Sequence, residues 1–115
     1  MPVPFEGGCH CGDCQRIAGS PFVTGVLVPE GSVKIEGDLK SYKVEADSGN
    51  ALIRNFCPEC GSRILVESEG MDGVGVSYAS MDDNSWLEPA VEFYTGNAQP
   101  WVTLCANTQK LKEMT

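Results

Sequence analysis

No stretch of this sequence approaches the roughly 20 consecutive apolar residues that a membrane helix requires, so no membrane is expected as a partner. Basic residues are scarce: 8 Lys+Arg stand against 16 Asp+Glu, a formal net charge of -8 over 115 residues. Such a chain repels phosphate backbones and anionic head groups, and nucleic acid is excluded as an expected ligand. Met1-Pro2-Val3-Pro4 lacks the basic start and apolar run of a signal peptide, which makes a cytoplasmic location the expectation. Internal repeats, low-complexity segments and Pro/Ser-rich linkers are absent, and residues 1–115 are expected to form one domain.

Long helical periodicity is missing too. Apolar and β-branched runs recur at short intervals instead: Phe22 to Val28, Val33 to Ile35, Leu39 to Val44, Ala51 to Phe56, Arg63 to Val66, Val74 to Ala79 and Ala90 to Thr95. Turn signals separate them, among them Pro29-Glu30-Gly31-Ser32, Glu36-Gly37-Asp38, Asp47-Ser48-Gly49-Asn50 and Glu69-Gly70-Met71-Asp72-Gly73. A mostly β, antiparallel, hairpin-rich architecture follows. Helix is expected only in short pieces, around Cys14 to Ala18, Asp82 to Trp86 and Thr108 to Glu113. Of the large aromatics Trp86, Tyr94 and Trp101, two are expected in the core.

What the chain does have is cysteine. Cys9-His10-Cys11-Gly12-Asp13-Cys14 overlaps a C-x-C with a C-x-x-C, and Cys57-Pro58-Glu59-Cys60-Gly61 adds a second C-x-x-C. A C-x-x-C turn closed by glycine sets two sulfurs on one side of a tight loop, within reach of one ion at about 2.3 Å. In a C-x-C on extended chain the two thiols share a face and the middle residue points away, so Cys9 and Cys11 can clamp an ion with His10 turned from it. The competing use of C-x-x-C, a redox dithiol, normally opens a helix after a strand; the strand-and-turn context read here favours zinc. Three thiolates on Zn²⁺ leave a charge of about −1 and an open coordination position, whereas four close the shell and make a structural site. Cys105 lies outside both clusters and is expected to be a free or buried thiol.

These residues resemble a known family. Cys9 to Arg16 with Gly19-Ser20 and Phe22, then Ala46 to Asn50, then Phe56-Cys57-Pro58-Glu59-Cys60-Gly61-Ser62, are similar to the glutathione-dependent formaldehyde-activating, centromere-protein-V-like domain. The likeness continues through Met81 to Trp86, Pro89, Val91 to Thr95 and Gln99-Pro100-Trp101. It implies packed antiparallel sheets with zinc knuckles, similar to Mss4-like zinc proteins. It also implies a carbon-sulfur lyase-type activity that joins formaldehyde to glutathione as S-(hydroxymethyl)glutathione, or acts on a related thiol adduct. By the same resemblance Cys9, Cys11 and Cys14 correspond to the ligands of a catalytic Zn²⁺, and Cys57 and Cys60 to half of a structural site.

The family's earlier Gly-x-C-x-C-Gly element, which completes that structural site, has no separate counterpart in this sequence. Sites of four and three ligands would need seven thiolates, and the two clusters supply five: Cys9, Cys11, Cys14, Cys57 and Cys60. An open three-cysteine site predicts an enzyme acting on a glutathione-like thiol and an aldehyde. A merged four-cysteine site predicts a non-catalytic zinc-stapled β domain that binds a partner. A sheet short of two strands exposes an edge, and a homodimer is a further expectation. Among nearby polar residues, Arg16 is a candidate for a substrate carboxylate and Gln15 for a peptide group, against the alternative of local surface pairing. His10 between the ligands invites a general-base role, which the strand alternation opposes.

Overall fold

The computed structural model describes residues 5–45, 49–70 and 73–113. Val23-Thr24-Gly25-Val26-Leu27-Val28, rich in β-branched side chains, forms strand β2 after the shorter β1 of Phe5–Cys9. Lys40–Glu45, Ala51–Phe56, Arg63–Ser68 and Val74–Ser77 follow as β3 to β6, with Val91–Phe93 as β7 and Gln109–Lys110 as β8. The one α-helix among the described residues, α1 at Gly12–Ala18, sits between β1 and β2.

The strands join in one mixed sheet in the order β3-β4-β5-β6-β2-β1-β7-β8. Pairing is antiparallel from β3 across to β1, while β7 runs parallel to both β1 and β8. The mostly β expectation holds. Val26 opposes Val76, Val28 opposes Val74, and Leu65 opposes the other edge of Val76, so these side chains share one face. Val26, Val28, Leu65 and Val74 are buried there and form the apolar centre. No helix among the described residues is long and apolar enough to cross a membrane.

Several elements differ from the sequence reading. Val33 to Ile35 forms no strand: it follows a 3-10 turn at Glu30–Ser32, and Ile35 is 52 % exposed. Asp82 to Trp86 is a turn and not a helix, because Asp83 spends its carboxylate on the Ser85 amide and hydroxyl and its carbonyl accepts from Trp86 Nε1. The Thr108 to Glu113 tail is no helix; Gln109 and Lys110 pair with β7. Tyr94 ends β7 early with a left-handed backbone at φ 56°. Neither tryptophan is core: Trp86 is 47 % and Trp101 72 % exposed. Part of the turn at Asp47-Ser48-Gly49-Asn50 lies outside the described residues.

Glycine is required where strands crowd. A Cβ on Gly25 would run into the Val76 carbonyl oxygen of β6, whereas one on Gly31 would meet nothing. Gly25→Ala is expected to cost about 1–3 kcal/mol, the usual penalty of overpacking. Gly31→Ala is the neutral control, and paired thermal melts read the difference.

Candidate metal centre

The three cysteines of the first cluster converge from two elements. Cys9 ends β1, held between Val23 of β2 and Phe93 of β7. Cys11 is the N-cap of α1, with extended backbone at φ -61° and ψ 155°, and its Sγ accepts from the Cys14 amide at 3.3 Å. Cys14, one turn later, is the buried residue of α1. A helix of seven residues has little stability of its own. Caps define it: the Cys11 sulfur at the start, and at the end Gly19 in the left-handed region with its N–H donating to the Gln15 carbonyl. The Sγ atoms of Cys9, Cys11 and Cys14 all lie within 4.8 Å of one another, a group able to hold a metal ion.

The sulfurs share charge unequally. Hydrogen bonds from Cys14 and Cys9, joined by the amides of Cys14 and Asp13, pull the Cys11 thiol down, to about 2. Cys14, donating to Cys11 in a buried position, is pushed up to about 11. Cys9 is raised as well, by its bonds to Cys11 and Cys14 and by burial. The hydrogen bonds within the trio thus favour negative charge on the Cys11 sulfur over its two neighbours. That Cys11-x-x-Cys14 opens a helix directly after a strand corrects the strand-and-turn context expected from sequence.

His10 points away from the trio, as alternation requires. It is fully buried, its Nε2 is 3.3 Å from Glu92 Oε1, and its ring lies 5.0 Å from that of Phe22. Its amide donates to the Phe93 carbonyl, and its carbonyl accepts from Gln15 Nε2 at 2.7 Å. Gln15 also donates to the Asn97 carbonyl and accepts from Gln99, which locks it as a cross-brace. Arg16 pairs with Asp13 at 2.6 Å, both well exposed. On the outer side of α1 lies an open cavity of about 580 Å³ whose lining includes Gly12, Gln15, Arg16, Asn97, Gln99 and Trp101.

The second cluster forms a knuckle in the β4–β5 turn. The Cys57 amide donates to the Ser62 carbonyl and the Gly61 amide to the Cys57 carbonyl, both at 2.8 Å, with Gly61 at φ 78°. Cys60 is exposed, and its thiol is lowered by the Ser62 hydroxyl 3.2 Å away. Among the described residues, Cys57 and Cys60 do not join the trio or any other group of three potential ligands. Cys105 stays outside as well, its thiol raised by burial and by neighbouring Glu92.

Sequence reasoning missed Glu92, Arg54 and Arg63, all of which are drawn into or against the buried interior. The available signal was a charged residue inside an otherwise apolar strand run, as at Ile53-Arg54-Asn55. No curated protein matches the chain. The family model described as glutathione-dependent formaldehyde-activating enzyme matches residues 4–97, most of the sequence including both cysteine clusters. The chain belongs to the glutathione-dependent formaldehyde-activating enzyme family.

Proposed function

We propose that this chain is a zinc-dependent carbon-sulfur lyase-type enzyme that joins formaldehyde to glutathione or a related thiol. One observation carries the reading: three thiols within 4.8 Å, joined among the described residues by no fourth cysteine, histidine or carboxylate. Soft sulfur donors at this spacing suit zinc, and Cys9, Cys11 and Cys14 would hold it. Bound there, zinc supplies a Lewis acid that favours the thiolate form of a thiol.

The reaction adds the substrate sulfur to the formaldehyde carbon: a C–S bond forms, the carbonyl π bond opens onto oxygen, and the thiol proton ends on that oxygen. His10 does not carry the proton, since it is sealed from solvent against Glu92. The chain's own contribution is placement. Gln15, fixed by its three hydrogen bonds, holds the His10 carbonyl between the first two ligands. The cavity on the outer side of α1 has the volume of a small-molecule site. There Arg16 offers a cation for a substrate carboxylate, and Trp101 an apolar wall. The Cys57/Cys60 knuckle is the candidate second metal locus, with two of the ligands a closed site needs.

Zinc content and zinc-edge X-ray absorption of protein purified without added metal test the reading. About three sulfurs and one lighter atom around the ion are expected, together with faster glutathione–formaldehyde condensation than in buffer. A shell of four sulfurs would mark a merged structural staple and overturn it.

A further inference from the structure

The β4–β5 turn carries half of a metal site. All six cysteines and the single histidine lie among the described residues. Cys9, Cys11 and Cys14 form their own group, His10 is sealed against Glu92, and the Cys105 amide is bonded to the same carboxylate. Among the described residues, Cys57 and Cys60 share no group of three potential ligands with any cysteine, histidine or carboxylate. A structural zinc with sulfur ligands takes four.

The turn is nonetheless shaped as a metal knuckle. Ser62 ties its two cysteines together: the Ser62 carbonyl accepts from the Cys57 amide at 2.8 Å, and the Ser62 hydroxyl lies 3.2 Å from Cys60 Sγ. The Gly61 amide closes the loop on the Cys57 carbonyl at 2.8 Å, with Gly61 at φ 78°, a conformation that suits glycine. Pro58, Glu59, Cys60, Gly61 and Ser62 are all exposed, so the tip is open to another molecule.

We propose that the missing half comes from a second copy of this chain: two knuckles meet tip to tip around one Zn²⁺ that lies on their two-fold axis. An isologous contact presents the same patch twice, and two C-x-x-C turns supply the four thiolates of a closed tetrahedral shell. The rest of the surface does not drive the pairing. Each chain carries a net charge of -8, and the tip exposes Glu59 and no large apolar side chain, so metal-free copies repel. The sheet register sets Lys40, an exposed cation, opposite Phe56 beside Cys57, which brings one positive charge per copy toward a shell of about −2. The dimer is therefore zinc-dependent. Cys9, Cys11 and Cys14 take no part in it, and their chemistry is unaffected.

Sedimentation equilibrium of the full chain, with zinc and after chelation, tests the proposal. The mass is expected to double with zinc and to return to that of a monomer with chelator, and Cys60→Ser should stay monomeric at zinc concentrations that pair wild type. Zinc-edge absorption of Cys11→Ser, in which the trio is disabled, isolates the knuckle: about one ion per two chains with four sulfurs around it is expected. A chain that stays monomeric with zinc, a knuckle ion with two sulfurs and two lighter atoms, or a dimer that survives chelation or Cys60→Ser would overturn the proposal. Should Cys11→Ser not fold, wild type and Cys60→Ser carry the comparison by mass alone. A zinc-bridged dimer in wild type with no zinc at the trio would sink the lyase reading and leave the bridged dimer standing.

Discussion

Replacing Cys11 with serine is expected to empty the zinc centre while leaving the fold intact. Cys11 has two jobs that the substitution separates. As a ligand candidate it is the sulfur of the trio whose thiol is lowered, by hydrogen bonds from Cys14, Cys9 and two amides. As an N-cap its sulfur accepts from the Cys14 amide, closing one of the free N–H groups at the start of α1. Serine is among the best caps and one of the poorest zinc ligands. Zinc should therefore fall from about one ion per chain at this centre to a small fraction, and condensation activity with it. The metal-free melting temperature should hardly move. Cys11→Ala loses cap and ligand together, and its metal-free form should be less stable by about 1 kcal/mol. Zinc retained in Cys11→Ser at the wild-type level would remove Cys11 from the ligand set.

The cysteine trio was legible in sequence because ligand chemistry depends on local spacing: C-x-C-x-x-C brings its sulfurs together wherever a strand turns into a helix. β2 to β6 were legible for a similar reason, since their β-branched runs are bounded by turn residues. β1 was not, because Gly7-Gly8 gives no strand signal, yet two neighbours pair with it on either side. β8 is two residues long and exists only through its partner β7. Tertiary pairing also overrode local pattern at the charges. Arg63 reads as a surface strand opening until the irregularity at Asn55 and Phe56 turns it inward, and Glu92 as a polar residue on a half-buried strand until the C-terminal segment folds over it. Trp101 shows the converse: size alone predicts burial, but the residue is largely exposed and lines the open cavity on α1.

Glu92→Leu is expected to be among the most damaging single substitutions outside the cysteines. Glu92 is 2 % exposed and accepts from Thr108 Oγ1 at 2.7 Å, from the Cys105 amide at 3.3 Å and from His10 Nε2 at 3.3 Å. An ionised carboxylate only accepts, so Nε2 carries the imidazole proton. Leucine leaves the fully buried His10 Nε2 without a partner and takes the carboxylate from the half-buried Cys105 amide and from the Thr108 hydroxyl, which keeps only the Cys105 carbonyl; with three hydrogen bonds to a charged group lost, the cost should be about 3–5 kcal/mol by urea unfolding. Burial pushes the Glu92 carboxyl up, but the hydrogen bonds from Thr108, Cys105 and His10 outweigh it and hold the group below its ordinary value. A carboxyl depressed in the folded state stabilises above its unfolded value, near 4.5, and ceases to do so as pH falls from there through the lower folded value. The stability gap between wild type and Glu92→Leu, measured on metal-free chain, should thus be full at neutral pH and shrink below 4.5; a gap constant through acid would show that Glu92 acts by shape alone. The consequence reaches the metal. His10 lies between Cys9 and Cys11, its amide bonded to the Phe93 carbonyl and its carbonyl to Gln15. A His10 ring released from Glu92 loosens the backbone that spaces two of the three sulfurs, and zinc should leave Glu92→Leu for a chelator faster than it leaves wild type.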